Sequence, residues 1–113
     1  MDEILVYDNK NYIYRIVKSY LKNYDVEVIK STKRYLSKSK IQSFKFIIFV
    51  FYNEFNIVDF IDYFLINKKI IILYDDIKNV EKNFESNTNF QVINLNLQKK
   101  EILKNIKEIV ILE

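Results

Sequence analysis

Apolar residues along the chain come in short runs separated by longer stretches in which they recur every three or four positions. The runs at 4–7 (ILVY), 46–51 (FIIFVF) and 70–74 (IIILY) are continuous, as strands shielded on both faces are. Those at 26–29 (VEVI) and 90–95 (FQVINL) interleave polar residues, the mark of strands with one less protected side. Five such runs alternating with helical stretches predict an α/β domain with a mainly parallel sheet. Continuous runs belong in the middle and interleaved ones at the edges. With right-handed crossovers, this predicts strand order 2-1-3-4-5, the flavodoxin-like doubly wound sheet between two layers of helices, a three-layer sandwich.

The helical stretches differ in how strongly they are patterned. In the first, Ile13, Ile16, Val17, Tyr20, Leu21 and Tyr24 fall on one face. Ile57, Phe60, Ile61 and Phe64 mark the third, and Ile102, Leu103, Ile106, Ile109 and Val110 the fifth. The second, about 32–40, and the fourth, about 77–84, are short and weakly patterned.

A chain of 113 residues suits one domain spanning 1–113, half hydrophobic and 29% charged, which is a globular balance. Cysteine and histidine are both absent, which removes disulfides, thiolate metal sites, cysteine nucleophiles and the commonest general base. Most enzyme classes lose ground at once. The start, MDEILVYDN, lacks the basic region of a signal peptide, and the apolar run at 46–52 is far too short to cross a membrane. A cytoplasmic setting is the expectation. With no glycine, turns that need φ > 0 fall to residues such as asparagine, and Asn9, Asn23, Asn53, Asn67 and Asn87 lie near element boundaries.

In a sheet of this order, ligands gather outside the carboxyl ends of the strands, near the point where the winding reverses. Asp8, Asn9, Val50, Tyr74, Asp75, Asp76 and Asn94 stand there. Around these positions, ILVYDN, DNKNYIYRIVKSYLKNYDVEVIKS and QKKEILKNI resemble the first strand with its acidic pair, the following helix and strand, and the last helix of the receiver domain of bacterial response regulators. The resemblance covers essentially the whole chain.

That family holds Mg²⁺ in an acidic cluster, phosphorylates an aspartate ending the third strand, and places Thr or Ser after the fourth strand and Lys after the fifth. On this chain the resemblance puts Asp8 at the first acid and Asn9 at the second. Val50 stands at the acceptor position, with Phe49 or Phe51 as the neighbouring registers. None of these three can attack a phosphoryl group. Tyr74 takes the Thr/Ser position, and Asn94 or Leu95 that of the lysine. The implied protein is a pseudo-receiver: no enzyme and no cofactor, a vestigial pocket at Asp8, Asn9, Val50, Tyr74, Asp75 and Asn94, and signalling through a protein partner. The resemblance also implies a homodimer through the fourth helix, fifth strand and fifth helix, with Lys82 and Lys104 among the charged residues of that face.

Two other readings stay open. Asp8, Asp75 and Asp76 could bind Mg²⁺ or Ca²⁺ weakly and support metal-assisted phosphoryl transfer or hydrolysis. The same acids have a plainer use, Asp76 as N-cap of the fourth helix and Asp8 beside the N-terminus of the first. The segment KSTKRYLSKSK sets Lys30, Lys33, Arg34, Lys38 and Lys40 around Tyr35, a pattern suited to nucleic-acid phosphates or to an ordinary solvated helix. The net charge of +3 does not decide between them.

Overall fold

The computed structural model describes residues 2–31, 42–52, 70–74 and 90–112. Five strands, β1 (Asp2–Tyr7), β2 (Val26–Lys30), β3 (Phe46–Phe51), β4 (Ile70–Tyr74) and β5 (Phe90–Asn94), form one sheet in the order β2-β1-β3-β4-β5. All four pairings are parallel, so the predicted flavodoxin-like order is the observed one. The helices among the described residues are α1 (Tyr12–Leu21) and α2 (Lys99–Leu112), the first and fifth of the predicted five. The second, third and fourth predicted helices lie outside the described residues. No described helix is long and apolar enough to cross a membrane.

Burial follows the patterning that placed the strands. Every residue of β3 is buried, as is β4 up to Tyr74, while β2 alternates, with Glu27 and Lys30 exposed at the sheet edge. One face of the sheet, carrying Ile4, Val6, Ile48, Val50, Ile71, Leu73 and Ile93, packs on Ile13, Val17 and Leu21 of α1 and on Ile102, Ile106 and Val110 of α2. The other face carries Leu5, Tyr7, Ile47, Phe49, Phe51 and Ile72 and is equally shielded from solvent. There Tyr7 and Phe49, register partners in β1 and β3, stack at 4.3 Å, and Phe51 leans on Phe49 at 4.9 Å. Such offset aromatic contacts suit the π quadrupole and fill the upper part of this face.

At the amino ends of the strands, Lys45 gathers several elements. Its ammonium is 3.4 Å from Asp2 and donates to the Val110 carbonyl near the end of α2, where the helix dipole favours a cation. At the carboxyl ends, the link from β1 to α1 is made by Asn11 with φ 58°, in the left-handed region. The sequence pointed to Asn9 and Asn23 for such turns, but among the described residues Asn11 alone takes positive φ; Asn53, Asn67 and Asn87 lie outside them. The left-handed residue is needed where the chain enters the helix, not where it leaves the strand.

This backbone state generates a prediction. Glycine reaches it without a Cβ clash, so Asn11→Gly removes roughly 1 kcal/mol of strain, partly offset by the freer unfolded chain. Deleting the buried Asn11 Oδ1, which has no hydrogen-bond partner, works in the same direction. Urea unfolding should show Asn11→Gly at least as stable as the parent, and Asn11→Val less stable by about 1–2 kcal/mol. A valine variant of unchanged stability would rule out the left-handed turn.

Candidate functional site

Asp8 stands just past the carboxyl end of β1. Its register neighbour follows from the Tyr7–Phe49 pairing, which puts Asp8 level with Val50 across the sheet. Strand alternation gives Asp8 the same face as Ile4 and Val6, the face covered by α1 and α2. It is the buried charged residue of the described set, only 6% exposed. A carboxylate so far from water must be hydrogen-bonded or it costs several kcal/mol.

Three donors of its own chain meet that need. Oδ1 accepts the Lys10 amide at 3.0 Å and the Tyr52 hydroxyl at 2.5 Å, and Oδ2 accepts the Tyr14 amide at 3.1 Å. Tyr14 belongs to the first turn of α1, where amides lack intrahelical partners. Asn11 occupies the N-cap position but makes no side-chain cap bond. Asp8 therefore caps the helix from six residues upstream, with its charge at the positive end of the dipole.

Tyr52 reaches Asp8 because strand alternation keeps it on the face of Phe46, Ile48 and Val50, one step past the end of β3. The Lys10 ammonium lies 4.6 Å from the Tyr52 ring centroid, a cation–π contact that closes the cluster from outside. The Tyr52 phenol is pushed far above its ordinary value, first by burial and then by the hydrogen bond to Asp8 and that residue's negative charge, with Tyr12 adding to it. It stays protonated and acts as a donor. Tyr52 was not singled out from sequence, although its spacing of two from Val50 carries the signal.

The remaining predicted positions are placed as follows. Val50 is fully buried in the apolar cluster, level with Leu73 of β4. Asn9 is exposed in the turn after β1. Phe51, Tyr74 and Asn94 form one row across β3, β4 and β5, and Asn94 Oδ1 accepts the Asn96 amide at 2.8 Å, turning the chain towards α2. Asp75, Asp76, Lys82, Lys33, Arg34, Lys38 and Lys40 lie outside the described residues. Lys30 is exposed at the end of β2, and Lys104 is exposed on α2.

Both oxygens of Asp8 accept from the chain, Oδ1 from the Lys10 amide and the Tyr52 hydroxyl and Oδ2 from the Tyr14 amide. Asn9, next to Asp8, carries an amide and adds no charge that would attract a cation. Compared with models of known families, with characterised proteins and with solved structures, the chain matches none.

Removing the carboxylate should be far worse than removing the phenol. Asp8→Ala leaves two amides and a hydroxyl without their acceptor and should lower stability by about 3 kcal/mol, while Tyr52→Phe should cost about 1 kcal/mol. Equal losses in the two variants would contradict the capping role. A pH dependence follows from Tyr52. In the unfolded chain it ionises near its ordinary value of about 10, and in the folded protein only well above that. Its contribution is thus complete below about pH 10 and declines as pH rises towards the folded value. Above pH 10 the parent should lose stability more steeply than Tyr52→Phe; parallel curves would place the phenol outside the cluster.

Proposed function

We propose that the chain is a receiver-like module that works through contact with a protein partner and without phosphotransfer. One observation carries the reading: the acid at the strand ends, Asp8, is engaged on both oxygens by Lys10, Tyr14 and Tyr52 of the same chain. A receiver that phosphorylates itself needs such an acid free to hold Mg²⁺ and needs a carboxylate nucleophile beside it. Here the neighbouring position across the sheet is Val50, fully buried. With the pocket converted into a fixed joint between β1, α1 and β3, what remains for function is the surface of a rigid sheet and its helices. The parallel order β2-β1-β3-β4-β5 suits this descent and an unrelated flavodoxin-like domain equally, and it is the resemblance of the first strand and helix to receivers that favours the former.

Incubation with acetyl phosphate and Mg²⁺ should leave the intact mass unchanged, and beryllofluoride should not bind. Proteins recovered on the immobilised chain should be the same with and without the phosphodonor. A phosphoryl adduct, or a partner whose recovery depends on the donor, contradicts the proposal.

A further inference from the structure

In α1, Tyr20 has the spacing of the buried residues Ile13 and Val17, yet it is 38% exposed. It forms one wall of a groove of about 460 Å³ between α1 and α2, lined among the described residues by Tyr20, Lys99, Lys100, Leu103 and Lys104. The floor is apolar: a leucine, a tyrosine ring and the aliphatic stems of the lysines. The rim is cationic. Glu101 and Glu108 of α2 are not among the described lining residues, and no ion pair engages Lys99, Lys100 or Lys104 among the described residues.

By contrast, the next lysine along α2 is committed within the fold: Lys107 lies 5.1 Å from the Tyr24 ring centroid. Lys99 and Lys100 also stand in the first turn of α2, where the helix dipole disfavours cations. A locally unfavourable choice without an internal partner is the kind of conflict that function tends to impose.

We propose that this groove docks an acidic segment of a partner protein: a short stretch of Asp and Glu carrying one aliphatic side chain. The aliphatic group rests on Tyr20 and Leu103, and the flanking carboxylates meet Lys99, Lys100 and Lys104. The inference deepens the preceding reading by giving the partner its chemistry. Charge complementarity selects this occupant. A second copy of the chain is disfavoured because a twofold contact through this patch would set lysines against lysines. Lys104, placed by the resemblance at a homodimer face, is part of that obstacle. A single-stranded nucleic acid would want successive aromatic platforms, whereas the described lining offers one ring beside an aliphatic side chain. Docking flat on a membrane calls for a broad apolar face rather than a recess with a lysine rim.

The test is fluorescence anisotropy at low salt with a labelled peptide of Asp and Glu around a central leucine. Parallel arms use the same peptide with serine for leucine, an oligothymidylate, and vesicles rich in phosphatidylserine. The leucine peptide should bind best. The double variant Lys100→Glu with Lys104→Glu should weaken it roughly tenfold, and Tyr20→Ala several-fold, both with an unchanged circular dichroism spectrum. Absence of binding, equal binding by the charge-reversed protein, indifference to the leucine, or tighter capture of the oligonucleotide or the vesicles would each overturn the proposal. A phosphoryl adduct in the acetyl phosphate experiment would remove the preceding reading and leave the peptide result standing, so the two failures are distinguishable.

Discussion

The Asp8 carboxylate is the joint on which the upper end of the molecule depends. It stands just past β1, accepts from the entry turn at Lys10 and from the first turn of α1 at Tyr14, and receives the Tyr52 hydroxyl from just beyond β3. Three segments are thereby fixed to one buried charge. The need for such a joint follows from composition. Without glycine, the turn into α1 runs through an asparagine at φ 58°, a state that costs a non-glycine residue about 1–2 kcal/mol. Charge-assisted hydrogen bonds, each worth about 1.5–3 kcal/mol, are strong enough to hold it.

From this joint the character of the strand-end region follows. Tyr52 hydrogen-bonds Asp8 and packs against the apolar cluster in which Val50 is fully buried. Asn94 turns its side chain back on the Asn96 amide, which shapes the passage from β5 to α2. On the outer surface, α1 and α2 leave a lysine-rimmed groove.

Much of the fold was legible because burial on both faces and burial on one face leave different patterns. FIIFVF and IIILY mark central strands, and VEVI marks an edge. The carboxylate's role beside α1 was also legible, since an acid just before a helix has a favourable place at its N-terminus. Three features were not. Periodicity put Tyr20 on the buried side of α1 but could not say how far α2 extends over it, and Tyr20 sits on the shoulder, exposed. Asn9 and Asn23 looked like the turn formers because they flank element ends, whereas the left-handed residue is Asn11, set by the angle at which the chain enters the helix. Tyr52 pairs with a residue 44 positions away, and only the three-dimensional register brings the two together.

The most direct test of Asp8 as a structural joint, and not a metal ligand, is a Mg²⁺ titration followed by the amide resonances of Lys10 and Tyr14. Both amides donate to the carboxylate, so they report on its occupancy without altering it. They should stay protected from solvent exchange, with unchanged shifts, through millimolar Mg²⁺. Saturable shifts of both amides with loss of their protection would show the ion taking the oxygens that the helix and turn now hold, and would contradict the account.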